Sequence, residues 1–578
     1  MLQVALCLAM WVVVLLPGVL FARRHLGALP APSQLFIGAS ASVALLTWLA
    51  LIETHLVGVG RVTPALWAAI TLAALIDNRD LLRAAWWREF SAAFERSAEL
   101  QGLALVLVGS ALVRVIPLPF SLLPPGYDPM NHLLLARLIV TNDAIPTTWM
   151  PFEPVEINYP TGLHNLLALM SRVTRLDITF IWRSMYPAFG ALAAVAAYAF
   201  ARLATPKPST ALWIAGSYSV LVNMGSLEIY GWGGMINLGA WCFGVALVLL
   251  ATGAAMTAST SWKTHLLGGL FVAAVCVSHH HVMLSVGVVC LAVIAVTWLR
   301  FRDRGVHRAL LLAAALGGAL AAFQLVPFAL KVTQVGRTDV LSYLEPFYGA
   351  TQLVRSLGLI FPVLAFVGMR RFLGLRAELA GAVVAASLLS LVGVFALLEY
   401  GYQGVHYLLT SRRSQPFVPA RFLTNSVLFM AAPVGIALER GYEMARARGR
   451  WLAVAMLGAL SLQPIYHVAA LCQNTTSDDE YRALVWIRDH TPPDAFVLNE
   501  RGSGWVNFFC WRETSFTPLS ASEPSSRHRT MKLEAAIAHN RRVYLMGFVR
   551  GARPVFAAGA YSLYRMSRQP AAQPPRAP

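Results

Sequence analysis

The sequence predicts an α-helical polytopic membrane protein with a small extracytoplasmic α/β domain near its C-terminal end. Three observations carry that prediction. The chain of 578 residues is 57% hydrophobic and only 13% charged, where soluble domains carry about a quarter charged residues. Its apolar residues gather into about fourteen runs, several of them short for a hydrocarbon core of about 30 Å. Over roughly the last hundred residues that character gives way to short alternating and helical patterns.

The runs lie at roughly 2–21, 33–52, 63–76, 102–119, 179–201, 211–224, 235–256, 265–278, 282–299, 309–329, 351–369, 377–398, 422–438 and 451–471. The first has no basic residue before it, which argues against a cleaved signal peptide. Asp77 to Glu99 is charged, with Trp86, Trp87 and Phe90 interleaved. It reads as an amphipathic helix on the cytoplasmic surface.

The net charge of +18 comes almost entirely from Arg. These residues sit in short loops between apolar runs, so membrane topology explains them better than a nucleic-acid-binding face does. With the N-terminus outside, the inner loops hold Arg23, Arg24, Arg79, Arg83, Arg88, Arg96, Arg202, Lys207, Lys263, Arg300, Arg302, Arg304, Arg308, Arg370, Arg371, Arg376, Arg440, Arg446, Arg448 and Arg450. The outer loops hold fewer, as the positive-inside rule requires. The unusual polar segments then all fall on the outer face. They are 120–178, Ser278-His279-His280-His281, the loops 331–350 and 400–420, and everything after Cys472.

In the C-terminal region, Tyr481, Leu484, Val485 and Ile487 have helical apolar spacing that Thr491-Pro492-Pro493-Asp494 stops. Ala495 to Leu498, Arg542 to Met546 and Tyr561 to Tyr564 read as short strands. Asn474-Thr475-Thr476 matches a glycosylation acceptor pattern. Residues 566–578 are Pro/Ala-rich and are expected to be disordered. The six Cys have no metal-type spacing. Cys472 and Cys510 fall in or beside this polar region and are candidates to pair in an oxidising compartment.

Chemistry-bearing residues concentrate in the first outer loop. Asp128 followed by Pro129 is first of all a helix start, with Asp128 as the cap and Pro129 at the first helical position. The same helix places His132 one turn on, where acid and imidazole can share a proton or bind a divalent cation. Glu153 and Glu156 follow in the same loop. Either alone reads as a solvated side chain, yet three acids, two His and a Tyr beside a membrane are a more specific signal. Tyr159-Pro160-Thr161-Gly162 is a turn that starts another helix, with His164 in its first turn. His279, His280 and His281 interrupt an apolar run, where polar groups are costly unless they line a cavity. Neutral imidazoles there can bind a metal, and protonated ones can hold phosphate. Arg412, Arg413 and Arg421, with Arg337 and Arg355, are candidates either for lipid headgroups or for clamping a phosphate.

Four stretches resemble the GT-C superfamily of polytopic glycosyltransferases, which includes oligosaccharyltransferases, protein O-mannosyltransferases and aminoarabinose transferases. They are Gly126-Tyr127-Asp128-Pro129-Met130-Asn131-His132, Tyr159-Pro160-Thr161-Gly162-Leu163-His164, Pro419-Ala420-Arg421-Phe422-Leu423, and Val485-Trp486-Ile487-Arg488-Asp489-His490 with Gly502-Ser503-Gly504-Trp505. Three extra spans precede the resembling region. The chain lacks a Trp-Trp-Asp-Tyr-Gly motif, which argues against an Asn-linked oligosaccharyltransferase. The loop has Asp-Pro where an Asp-x-Asp pair would signal a metal.

The resemblance implies a GT-C-like core over 101–472, the extra spans and cytoplasmic segment over 1–100, and an extracytoplasmic domain over 473–565. It also implies sugar transfer from a polyprenyl-phosphate donor to a glycan, lipid or protein acceptor, outside a bacterial or archaeal plasma membrane. Asp128 is then the expected base or metal ligand, with His132, Glu153 and Glu156 as further catalytic candidates. Tyr159, His164, His279, His280, His281, Arg412 and Arg421 are expected to bind substrate or lipid phosphate. Asp128 and His132 are the candidate ligands for a divalent cation, Mg or Mn. A transporter or flippase of a lipid-linked saccharide would share the many spans, but it usually shows two related halves, and none is seen here. A non-catalytic envelope scaffold is the third reading.

Overall fold

Apolar runs without internal polar partners can cross lipid only as helices, because every backbone group must be paired within the segment. The computed structural model describes residues 2–120, 123–124, 128–152, 156–257, 261–334, 353, 357–358, 360–410, 419–473, 478–499, 505–515, 526–539, 541–547 and 552–566. Where they are described, all fourteen apolar runs fall mainly on helices. Among the described residues nine of these helices are long and apolar enough to cross a membrane: Ala31–Leu56, Ala98–Phe120, Ile178–Ala204, Met235–Met256, His280–Phe301, Arg304–Leu330, Leu379–His406, Ala420–Arg448 and Arg450–Cys472. The other five runs lie on Leu2–His25, Thr63–Asp77, Pro208–Val220, Trp262–Ser278 and Ile360–Gly374. By helix length and composition the chain is an integral multi-pass membrane protein.

Met235–Met256 is the central helix, and every residue from Met235 to Ala254 is buried. It packs against Ile178–Ala204, Trp262–Ser278 and Ala31–Leu56. The peripheral helix Arg450–Gln473 instead exposes Trp451, Leu452, Leu462, Ile465 and Tyr466. An apolar face of that extent is what a lipid-facing helix presents. The helix expected in the charged segment forms over Ala84–Arg96.

Between the spans, two shorter helices lie in the segment expected as the first outer loop. Asp128–Asn142 starts at the acid, and Gly162–Thr174 starts after the Tyr-Pro turn. The expected break at the histidines is present: one helix ends at Ser278, the next starts at His280, and the His279 side chain accepts from the Val282 amide at 3.4 Å. The N-terminal helices are tied to this loop by Asp143, which accepts from the Val59 amide at 2.9 Å and pairs with Arg61 and Arg172.

Beyond the last span, Asp478–His490 is a helix that buries Ala483, Leu484 and Ile487. It covers a mixed sheet of five strands: β1 Phe496–Asn499, β2 Glu513–Thr514, β3 Val543–Gly547, β4 Phe556–Ala558 and β5 Tyr561–Arg565. The spatial order is β2-β1-β3-β5-β4. β1 runs parallel to β2 and β3, with Phe496 opposite Val543, while β5 is antiparallel to β3 and β4. The expected pairing of Cys472 with Cys510 does not occur. Both are free, and the Cys510 thiol donates to the Leu484 carbonyl at 3.2 Å inside the domain. The glycosylation tripeptide, Gly502 to Gly504 and the tail from 567 lie outside the described residues.

One charge is buried in the bundle without an acidic hydrogen-bond partner. Arg114 is fully buried in Ala98–Val115. Its Nη1 donates to the Ser110 carbonyl (2.9 Å), the Ser110 hydroxyl (2.8 Å) and the Ser219 carbonyl (3.2 Å), and its Nη2 to the Ser226 hydroxyl (2.7 Å). The guanidinium carbon stands 5.6 Å from the Tyr186 ring. Arg114→Ala would leave those acceptors unpaired at membrane depth. It is expected to cost on the order of 3 kcal/mol, read as a lowered thermal unfolding midpoint of the purified protein. An unchanged midpoint would remove Arg114 as an anchor of the bundle.

Candidate active site

The site is assembled at the start of four helices, Asp128–Asn142, Gly162–Thr174, His280–Val296 and Ala420–Arg448. Asp128 opens the helix Asp128–Asn142, and Arg421 stands in the first turn of Ala420–Arg448. Their side chains meet with Arg421 Nη2 3.3 Å from Asp128 Oδ2. The other face of the guanidinium lies over Trp232, 3.9 Å from the ring centroid, a close cation–π contact.

Trp232 is held there by a glycine-rich connection between two spans. Gly225 has φ +74°, and a Cβ on it would lie 2.4 Å from the Thr424 carbonyl. Gly233 has φ +83°, and a Cβ on it would lie 2.3 Å from Pro129 Cδ. Both positions need glycine for conformation and for closeness. The connection therefore touches the start of the Asp128 helix at one end and the first turns of the Arg421 helix at the other. Arg114 grips it from below through Ser226.

Beside this pair stands a cluster of aromatic and imidazole rings. His132 Nδ1 and His164 Nε2 are 2.9 Å apart, one ring donating to the other. His132 stacks on Trp182, with centroids 5.7 Å apart. Tyr159 sits among His132 (5.5 Å), His164 (5.5 Å), His279 (5.8 Å) and His280 (5.4 Å). His280 and His281 rings are 4.2 Å apart. Gln324 donates to Thr161 at 3.2 Å and ties the turn to the helix Arg304–Gln334.

Burial sets the protonation of the outer-loop members. It pushes His132 down to about 4, against the pull of the Asp128 carboxylate, while Arg421 adds to the depression. Burial also holds His164 well below its usual range, with His132 acting in the same direction. It pushes the Tyr159 phenol up, with Asp128 adding to the rise. At neutral pH His132 and His164 are therefore neutral imidazoles and Tyr159 a neutral phenol. Each neutral imidazole has one N–H to give and one lone pair to accept with.

The structure thus brings together Asp128, His132, Tyr159, His164, His279, His280, His281 and Arg421. Glu156 is exposed and forms a backbone bridge to Thr148. Glu153, Arg337, Arg355, Arg412 and Arg413 lie outside the described residues. Asp128 and His132 do share a helix face, but the His132 hydrogen bond goes to His164 and the Asp128 contact to Arg421. Among the described residues no group of three or more His, Cys, Asp or Glu is placed to hold a metal ion.

Sequence reasoning missed Trp232 and Trp182. The glycines and aromatics of Tyr230-Gly231-Trp232-Gly233-Gly234, at a break between apolar runs, were the available signal for the first. Trp182 sits inside an ordinary apolar run and carries none. It also missed how the C-terminal domain reaches the site. Arg137, on the Asp128 helix, donates to the Phe508 carbonyl and stands 4.7 Å from the Trp511 ring, while Phe152 packs edge-on to Trp511 at 5.0 Å.

No protein-family model and no curated protein matches the chain. Solved structures do match in fold. The archaeal oligosaccharyltransferase AglB from Archaeoglobus fulgidus, in complex with an inhibitory peptide and a dolichol-phosphate, aligns with a TM-score of 0.50 at 13% identity, covering 78% of this chain and 70% of that one. Its apo form aligns at 0.51 and 13% identity, with the same coverage. ArnT from Cupriavidus metallidurans, bound to undecaprenyl phosphate, aligns at 0.52 and 12% identity, covering 80% of this chain and 97% of that one. The chain is similar in structure to GT-C enzymes, and at these identities the likeness is one of fold.

The depressed His132 has a consequence for stability. Its pKa in the fold, about 4, lies below its ordinary 6.5, so the unfolded chain binds the proton more readily. The associated stability is present above pH 6.5 and lost as pH falls toward 4, on the order of 3 kcal/mol in all. Thermal unfolding of wild type and His132→Gln across pH 7.5 to 4 (about those limits) should show the steeper acid loss in wild type. Parallel profiles would contradict a neutral, buried His132.

Proposed function

We propose that the chain is a membrane glycosyltransferase that moves a sugar from a polyprenyl-phosphate donor to an acceptor on the extracytoplasmic face, with inversion at the anomeric carbon. The single observation that carries this reading is the meeting of Asp128 and Arg421, beside the cluster of imidazole rings. The two residues stand 293 positions apart. They supply the two charges the reaction asks for: a base for the acceptor and a cation for the leaving group. The fold likeness supports the same class, since AglB and ArnT structures hold dolichol-phosphate and undecaprenyl phosphate.

In this reading the acceptor hydroxyl oxygen forms its bond to the anomeric carbon as the bond from that carbon to the phosphate oxygen breaks. Asp128 takes the hydroxyl proton. The lipid phosphate departs as an anion and needs no strong acid. Arg421 holds it, with N–H donors from His279, His280 and His281 and the Tyr159 hydroxyl toward its other oxygens. His132 and His164 fix Tyr159 and the start of the second loop helix. Glu153, Glu156 and Arg412 remain candidates for the acceptor and phosphate sides. No step is routed through a divalent cation, because the Asp128 carboxylate faces a guanidinium and the described residues complete no ligand set around it. The acceptor is a glycan, a lipid or a protein.

All fourteen apolar runs are taken to cross or enter the bilayer. The first outer loop, the histidine break, Arg421 and the C-terminal domain then share the outer face, opposite most of the basic loops. The proposed division is 1–100, 101–472, 473–565 and 566–578.

Mass-spectrometric comparison of envelope glycans with and without the protein should reveal one glycan that depends on it, and so identify sugar and acceptor. Restoring wild type should restore that glycan. Asp128→Asn should lower transfer by ~100- to 10,000-fold, and Arg421→Gln by ~100- to 1,000-fold, both in protein that purifies and melts normally. Full transfer by a well-folded Asp128→Asn would remove the base assignment. Carrier movement across vesicles without sugar transfer would replace the enzyme by a flippase.

A further inference from the structure

The three N-terminal helices, which have no part in the proposed reaction, enclose a cavity of about 460 Å³ together with the helix Trp262–Ser278. That volume lies within the roughly 300–1,000 Å³ usual for small-molecule sites. Its walls are Phe21, Leu45, Trp67, Ile70, Ala74 and Leu270, among other apolar residues, with Ser42, Asp77 and Asn78 as the polar exceptions.

The cavity has a built origin. Pro17 lies inside the helix Leu2–His25 and has no N–H for the Val13 carbonyl. That carbonyl accepts from the Trp67 indole instead, at 3.1 Å. The helix Thr63–Asp77 is thereby held on the first helix by a polar contact at one edge of the cavity. Two of the polar lining groups are satisfied within the protein. The Ser42 hydroxyl accepts from the Gly18 amide at 2.7 Å and donates to the Leu15 carbonyl at 3.1 Å. The Asn78 amide donates to the Leu20 and Ala74 carbonyls at 3.2 and 2.9 Å and accepts from Arg23 at 2.9 Å. A wall whose hydrogen bonds are already used suits a hydrocarbon chain rather than a polar solute.

The rim is basic. Arg23 is engaged by Asp80. Arg24 reaches Asp77 only at 3.6 Å, with 59% of its side chain exposed. Lys263 Nζ lies 2.9 Å from His25 Nδ1, so its hydrogen bond goes to a ring nitrogen and not to an acid. Two cations thus gather around Asp77 of the lining, Arg24 directly and Lys263 through His25, on the side where the basic loops gather. Asp77, between them, disfavours a doubly charged phosphate monoester more than a singly charged phosphodiester.

We infer that this cavity binds one acyl chain of an anionic phospholipid, with Lys263 and Arg24 holding the phosphodiester at its mouth. The inference does not depend on the glycosyltransferase reading and shares no residue with it.

The test is native mass spectrometry of the full-length protein released from nanodiscs of equimolar phosphatidylglycerol and phosphatidylcholine, with a parallel arm in which undecaprenyl phosphate replaces phosphatidylglycerol. Wild type should retain phosphatidylglycerol over phosphatidylcholine by about fivefold per engaged cation. Lys263→Gln with Arg24→Gln should bring that preference close to parity. Ala74→Phe, which fills the slot, should abolish retention of either lipid, and Ala73→Leu serves if Ala74→Phe does not fold. Absence of retained lipid in wild type overturns the site. Retention indifferent to both the rim and the filling variants overturns it equally. Stronger retention of undecaprenyl phosphate than of phosphatidylglycerol overturns the assignment to a phosphodiester lipid.

Discussion

The organisation of this molecule depends on how one guanidinium is accommodated in lipid. A charged side chain at membrane depth is costly unless the protein surrounds it with fixed dipoles. Arg114 meets that condition with carbonyls and hydroxyls from its own helix and from the connection after the helix Pro208–Val220. The consequence reaches further than Arg114. Because Ser219 and Ser226 are fixed by it, the chain that follows is delivered at a defined place, with Tyr186 donating to the Leu227 carbonyl at 2.6 Å and stacking on Tyr230. Gly225 and Gly233 then let the same connection lie directly against two helix starts. The guanidinium of Arg421 rests on Trp232, and the acid of Asp128 is set one residue from the proline that Gly233 touches. A structural arginine thus supports the connection against which the Asp128–Arg421 pair is set.

The second tie comes from outside the bundle. The C-terminal domain carries its own clamp in Arg512, which donates to Thr491, Cys510 and Arg488 and closes the helix Asp478–His490 onto the chain that precedes β2. That chain presents Phe508 and Trp511 to Arg137, about two and a half turns along from Asp128. The helix that begins with the acid is therefore gripped at both ends, by Pro129 on Gly233 and by Arg137 on the domain. Its far end is held again by Asp143, through the N-terminal helices. Such support is what a site needs if its first residue is to keep its position while substrates exchange.

Much of this was legible in the chain because it is local. Apolar runs become helices for want of any other way to pair a backbone in lipid, and Asp-Pro starts a helix for reasons that act within a turn. Three histidines break a span visibly, and the alternation at 495–498, 542–546 and 561–564 falls on strands. What was not legible depends on contacts between distant segments. His132 follows Asp128 by one turn, so spacing alone suggests that they pair, yet each finds a better partner elsewhere in His164 and Arg421. Cys472 and Cys510 look like a pair only if their settings are ignored, since Cys510 is packed into the small domain. Arg114 reads as one more basic residue near a span end until the serines around it are seen. In each case the local reading is sound, and tertiary contact decides between the options it leaves.

The looseness of the Asp128–Arg421 contact is itself informative. A structural ion pair in this setting would be bidentate and short, as partly buried arginine–carboxylate pairs are when geometry is optimised. Here one nitrogen meets one oxygen at 3.3 Å, and the Asp128 side chain is still a third exposed. Pairs of that kind contribute little to stability. The better-made contact of Arg421 is with Trp232, which orients the guanidinium without consuming its donors. A cation held by an aromatic face, with most N–H groups unspent, can turn from the carboxylate to an incoming phosphate at small cost. A carboxylate released in the same movement becomes free to accept a proton. In the proposed reaction the two changes of partner are complementary, so binding of an anionic donor would itself free the Asp128 carboxylate. That coupling would rest on three side chains, Asp128, Arg421 and Trp232, and in the proposed reaction it would place donor first and acceptor second.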